Sequence, residues 1–362
     1  MTRFSRFFLG VISAAALAAC GAPAASAPTS APAATSAVTA APAETTAPAA
    51  EATAPAASGE PFKVAIVMPS STTDLAWSQS MYDALVAVQQ EMGGESAMQI
   101  SVSENMFNVT DAAAALRDYA SAGNDLVIAH GTQYGTSLFD LAKEFPETSF
   151  AWGTATDTGA DKGLANIFAY NAKAEEGGYV NGVLAASLSK AGKIGVIGPV
   201  EAGDAKTYID GFEKGVKDTK PDATVAKIYT GGFGDTAKAA EAATTQIAAG
   251  ADVLTGSAQQ VVGAIGVAKD KGIPWFGTQS DQSSLAPSLV VATQVYDWKA
   301  VVKDMIAKIH AGTLGGTAYN LELKDGGLKI VYNSGFTLPA EAKAAADKAI
   351  AGLTDGSIKP LP

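Results

Sequence analysis

The feature that most narrows what this chain can fold into is an alternation. From about Pro61 onward, short β-branched runs take turns with longer amphipathic ones, the pattern of a parallel sheet whose strands are joined by covering helices. Strands are predicted at Lys63 to Met68, Met98 to Ser103, Asp125 to His130 and Ser149 to Trp152, with helices at Leu75 to Glu91, Thr110 to Ala122 and Ser137 to Glu144. After Asn166 to Tyr170 the alternation restarts: helices at 173–189, 205–217, 236–249 and 259–271 interleave with strands at 193–198, 224–229, 252–255 and 273–277. Late pieces at 289–295, 298–310 and 328–332 complete the set. The expectation is two doubly wound α/β lobes joined by a hinge. Lobe 1 spans 61–170 completed by about 296–325, and lobe 2 spans 171–295 completed by about 326–362. The chain would cross between them near Tyr170, Val295 and Gly326.

With 362 residues, 48 % of them hydrophobic, the chain has material for two cores, but its first sixty residues belong to neither. Arg3 and Arg6 precede an apolar run from Phe7 to Ala19, too short for a permanent membrane span, so 1–19 reads as a signal peptide. The only cysteine follows at once, and Leu17-Ala18-Ala19-Cys20 resembles the lipobox of bacterial lipoproteins, which implies acylation of Cys20. From there to residue 60 the chain is nearly all Ala, Pro, Thr and Ser, a composition that cannot bury a core and predicts a tether reaching as much as roughly 100 Å. The expected location is therefore the extracytoplasmic face of a bacterial membrane, held by a lipid anchor.

Charge and residue usage exclude several function classes. A formal net charge of -11 argues against nucleic acid as a partner, because such binders neutralise phosphates with clustered Lys and Arg. One cysteine and two histidines permit neither a disulfide framework nor a thiolate metal cage, and no cofactor is expected. His310 reads as a helix-end residue.

Open α/β sheets bind ligands beyond the carboxyl ends of their strands, so the strand-to-helix loops are where function is sought. The first carries Asp74, Trp77, Ser78 and Gln79; Asp74 is equally a good helix cap, and Trp77 faces either the cleft or the core. The second carries His130, Thr132 and Gln133. No nucleophile is spaced to form a triad with His130, which leaves a ligand hydrogen bond or a structural role. In the second half, Phe233 lies among glycines that match neither a P-loop nor a dinucleotide fingerprint. Gly256, Gln279 and Asp281 complete the candidate set. Amides and hydroxyls suit a neutral polyhydroxylated or heterocyclic ligand better than an anion. If Trp77 and Phe233 faced each other, a planar ring would stack between them.

Several segments, in shared order from about Lys63 to Val331, resemble the basic membrane protein family of lipoproteins, whose members include purine-nucleoside-binding proteins of ABC importers. Thr73-Asp74-Leu75-Ala76-Trp77-Ser78-Gln79 is similar to the family's Asp-Asp-Lys-Ser-Phe-Asn-Gln segment, and Asp125 to Gly135 to its strand-to-glycine loop. Gly177 to Ala186 resembles its Tyr-Leu-x-Gly-x-x-Ala-Ala helix, and Gly277 to Gln282, followed by Ala286-Pro287, its Gly-Val-Asp-x-Asp-Gln segment. The resemblance implies a type I periplasmic-binding-protein fold and an aromatic sandwich at Trp77 and Phe233. Three positions depart from it: Met68 and Gln279 replace aspartates, and a lysine is replaced near Tyr296.

The expected function is therefore capture of a small solute, a purine nucleoside or nucleobase in first place, for an ABC permease and its ATPase, without chemistry on the solute. The rival readings are a ligand-sensing subunit of a membrane receptor, a binder of sugars or other polar solutes, and a nucleoside hydrolase using Asp74, Asp235 and Asp281. Those three aspartates lack the clustered spacing of a metal site. Trp77→Ala is expected to weaken binding with little loss of stability.

Overall fold

A computed structural model describes residues 59–361; the predicted signal peptide, Cys20 and nearly all of the predicted tether lie outside them. The first sheet contains β1 (Phe62–Val67), β2 (Met98–Ser103), β3 (Leu126–Ala129), β4 (Ser149–Gly153), β5 (Ile167–Ala172) and β11 (Ala318–Leu321). Their order is β11-β5-β4-β3-β1-β2, and every neighbouring pair is parallel. Helices α1 (Trp77–Met92), α2 (Val109–Ser121), α3 (Gly135–Glu144) and α8 (Lys299–His310) accompany it. Because helices cover both faces, the central strands are apolar throughout: Leu126 to Ala129 and Val64 to Val67 are fully buried.

The second sheet repeats the plan. It contains β6 (Lys193–Gly198), β7 (Thr224–Tyr229), β8 (Val253–Gly256), β9 (Trp275–Gln279), β10 (Val290–Tyr296) and β12 (Leu328–Tyr332), in the order β12-β10-β9-β8-β6-β7. Only β12 runs antiparallel, against β10. Its helices are α4 (Ala174–Leu188), α5 (Gly203–Thr219), α6 (Thr236–Ala248), α7 (Val261–Lys271) and α9 (Ala340–Thr354). The chain passes between the sheets three times, from β5 to α4, from β10 to α8 and from β11 to β12.

Two elements carry a weak sequence signal. Strand β11 is four residues long and half polar, and the buried stripe of α9, at Ala342, Ala346, Ala349 and Leu353, has helical spacing but is mostly alanine.

The glycines of Gly177 to Gly182 have a packing reason. Helices α4 and α5 meet backbone to backbone: a Cβ at Gly178 would overlap the Tyr208 carbonyl oxygen, and one at Gly182 that of Phe212. The relation is reciprocal, since a Cβ at Gly211 would strike the Glu175 carbonyl and one at Gly215 the Tyr179 carbonyl. Spacing of four on both helices brings these bare turns face to face. Between them, Asn181 donates to the Tyr208 hydroxyl and to the Gly277 carbonyl, each at 3.0 Å, which pins the helix pair to the floor of the second sheet.

A side chain at Gly182 meets rigid backbone, so Gly182→Val is expected to destabilise by at least about 1–3 kcal/mol. Gly266 in α7 has open space around it, and Gly266→Ala is expected to be neutral or to add up to about 1 kcal/mol through helix propensity. Thermal unfolding of the two variants checks both signs; equal melting temperatures would contradict the packing account.

Candidate functional site

Eight strands end at one place. Pro69 follows β1, Phe107 follows β2, Gly131, Thr132 and Gln133 follow β3, and Thr154 follows β4. From the other sheet come Asp204 after β6, Phe233 after β7, Gln259 after β8 and Gln279 at the end of β9. Together with Trp77, they line a cavity of about 40 Å³, well below the roughly 300–1,000 Å³ of small-molecule sites, so a solute is accommodated only when the lobes part.

The lobes touch around its rim. The rings of Phe107 and Phe233 lie 6.4 Å apart across the mouth, and a Cβ at Gly203 would stand 3.7 Å from the Thr132 hydroxyl oxygen and 3.9 Å from that of Thr154. At the hinge side, Ser280 donates to the Ala76 carbonyl at 2.8 Å and Gln282 to the Leu75 carbonyl at 3.2 Å.

Backbone strain gathers here as well. Among the described residues, five other than glycine have positive φ: Leu75, Asn105, Thr154, Ala258 and Gln279. All five lie at or just beyond strand ends facing the cleft, and Thr154, Ala258 and Gln279 line the cavity itself. Each such conformation costs roughly 1–3 kcal/mol, so it persists only where surrounding structure enforces it, most often at a ligand site.

The lining is apolar and amide-rich, with one charge. Of its side chains only Asp204 is ionisable. Its carboxylate accepts from the Gln279 amide at 2.9 Å and the Tyr296 hydroxyl at 3.0 Å, and burial, only partly offset by these bonds, holds its pKa above the usual carboxylate value. No cation lines the cavity to receive an anionic ligand.

Of the sequence-derived candidates, Trp77, Thr132, Gln133, Phe233 and Gln279 stand on this wall. Six others do not, each for a physical reason. His130 is fully buried behind the wall, its ring stacked on Trp77 at 4.1 Å. Asp74 spends its carboxylate on the backbone N–H groups of Ala76, Ser78 and Gln79, capping α1. Ser78 is buried on the inward face of that helix. Gln79 binds the Leu75 N–H and Asp83, toward a second recess on the hinge side. Gly256 lies within β8 against the Ile197 carbonyl, where a side chain would not fit. Asp281 is exposed, caps the Ser283 N–H and borders the hinge-side recess.

Sequence reasoning passed over Phe107, Thr154 and Asp204. Asp204 has the ordinary look of an acid at a helix start, and its contacts to residues 279 and 296 are invisible along the chain. A strand-end position was the only signal available.

His130 explains how Trp77 is held. Tyr170 shares a 2.7 Å hydrogen bond with Nδ1, and Nε2 donates to the Trp77 carbonyl at 2.9 Å; the Trp77 indole N–H returns a bond to the His130 carbonyl at 3.0 Å. Tyr296 and Trp298 close the cluster edge-on to Trp77, so both of the first two chain crossings contribute to the platform beneath the cavity. Burial pushes the imidazole from its ordinary 6.5 down to about 3. The unfolded chain therefore takes up a proton below pH 6.5 that the folded one refuses, and stability falls on acidification, by about 2 kcal/mol from this group at pH 5. His130→Gln is expected to be less stable at pH 8 but to lose this part of the slope between pH 7 and 5 in urea unfolding; an unchanged slope would clear His130 of the role.

Comparison with known proteins matches this architecture. A purine-binding protein of Brucella abortus is 30 % identical over 303 residues, 83 % of each chain. An ABC transporter nucleoside-binding protein of Lactococcus lactis is 26 % identical over 321 residues, covering 82 % of this chain and 88 % of that one. An ABC transporter solute-binding protein from Aeropyrum pernix shares the fold with a TM-score of 0.71 at 18 % identity, over 83 % of this chain and 93 % of that one. Residues 62–351 match the profile of the ABC transporter substrate-binding proteins described as PnrA-like, and on that match the chain belongs to the Bmp family, whose members bind solutes and are not enzymes.

Proposed function

We propose that this substrate-binding protein captures a neutral purine nucleoside or nucleobase outside the cell membrane and delivers it to an ABC permease. The observation that carries the ligand class is the composition of the cavity: Trp77 on one lobe and Phe233 on the other, with amides and hydroxyls between and one carboxylate as the sole charge. An aromatic wall accepts a planar heterocycle at roughly 1–3 kcal/mol per stacked base, and side-chain amides read its polar edge. The names of the Brucella and Lactococcus relatives support the same class.

The mechanism is a shift of population. A solute touching both lobes binds the closed form better than the open one, and closure brings the two lobe surfaces into the relation a permease recognises. Among the described residues no helix is long and apolar enough to cross a membrane, so a permease and an ATPase supply the translocation step. Acylation at Cys20, with the following segment as a tether, would hold the protein near that permease.

Mass spectrometry of the small molecule freed when the purified protein is denatured tests the ligand class: an unmodified purine base or nucleoside is expected, and a sugar or amino acid would overturn it. Phe233→Ala then tests the aromatic wall, because that ring is half-buried and sits in a loop; affinity is expected to fall roughly 10- to 100-fold with the melting temperature kept. Trp77→Ala is a poorer probe than the sequence suggests. Its ring is buried, stacked and hydrogen-bonded, and its loss is expected to cost roughly 3–5 kcal/mol of stability.

A further inference from the structure

We propose that Asp204 and Gln279 form a paired-acceptor subsite that sets ligand specificity by demanding two adjacent hydrogen-bond donors on the bound molecule. This rests on the purine reading of the cavity and says which edge of such a molecule is recognised.

Asp204 stands in the first turn of α5 and is 9 % exposed. Both hydrogen-bonding side chains that hold it, Gln279 and Tyr296, are neutral donors to the same oxygen, Oδ2. A carboxylate has about four acceptor sites, so these two bonds leave it with capacity for a ligand donor. No cation in the lining neutralises it.

Gln279 supplies the second acceptor. Its amide nitrogen is committed to Asp204, because the reversed amide would set two acceptors against each other. That leaves Oε1 turned away from the carboxylate, buried, and without a hydrogen-bond partner, in a residue only 2 % exposed. A buried carbonyl without a donor is unfavourable and rare, and a donor from a ligand relieves it. The backbone enforces the arrangement: Gln279 is held at φ 77°, a left-handed conformation that a non-glycine residue seldom adopts.

The two acceptors are therefore neighbours, one amide group apart, and neither is matched by an ionisable donor in the lining. A donor–donor edge satisfies both; an acceptor-only or anionic edge meets repulsion. In a purine compound such an edge comes from the vicinal hydroxyls of ribose, or from a ring N–H beside an exocyclic amine.

The test is calorimetric titration of wild type, Asp204→Asn and Gln279→Leu with guanosine, guanine and 2′,3′-dideoxyguanosine, all of which carry a ring N–H beside an exocyclic amine while only guanosine carries the diol. Wild type is expected to bind guanosine, and each variant to lose at least 10-fold. If the diol is the donor pair, guanine and the dideoxy compound bind wild type at least 10-fold more weakly than guanosine. If the base edge is the pair, all three bind alike; either pattern supports the subsite. Variants that bind guanosine as wild type does overturn the subsite and leave the purine reading standing, whereas a wild type that binds none of the three overturns both. Melting temperature distinguishes misfolding from loss of contact. Because burial raises the Asp204 pKa, the folded protein loses stability as pH rises through that value, and Asp204→Asn is spared that loss, so at pH 7 the ligand-free variant is expected to melt no lower than wild type.

Discussion

The cavity exists because parallel strands end together. In each sheet the right-handed crossovers carry the chain back along the outer faces, so every strand-to-helix loop of a lobe emerges at the same edge. Turning two such edges toward each other gathers eight loops around one enclosed space. The strained residues Thr154, Ala258 and Gln279 are the local consequence of fitting so many chain reversals into one wall.

What keeps the wall in place lies behind it. The stack of Trp77 on His130, braced by Tyr170, Tyr296 and Trp298, draws on strands β3, β5 and β10 and on the segment leading into α8. Tyr170 and Tyr296 end or nearly end the strands from which the chain leaves each lobe, so the platform under the ligand cavity and the hinge share side chains. Tyr296 also holds Asp204, which ties the only charge of the cavity to the same crossing strand. At the far side of lobe 2, the glycine faces of α4 and α5 anchor the first helix after the crossing, giving the lobe a firm body to swing.

Much of this was legible in the sequence, and the failures share a cause. Period and composition suffice for the α/β class and the two sheets, because a strand covered on both faces must be apolar along its whole length, as Leu126 to Ala129 are. Strand ends suffice to put Trp77, Thr132, Gln133, Phe233 and Gln279 near one cleft. Direction is what the chain does not spell out. His130 leaves its strand end pointing back into the core, Asp281 lies two residues beyond Gln279 and faces the hinge side, and Asp74 turns onto its own helix. Asp204 and Phe107 reverse the case: an acid at a helix start and a ring in a short loop, 54 % exposed, carry no pattern; Asp204 acquires meaning from two later strands of its own sheet, and Phe107 from Phe233 of the opposite lobe.

The central claim is that a solute draws the lobes together. Spin labels at Asp140 on α3 and Lys238 on α6, exposed positions on different lobes, would report their separation in ligand-stripped and ligand-loaded protein. The account predicts a broad, longer distance that becomes short and narrow when solute is added. One unchanging distance in both conditions would contradict capture by closure.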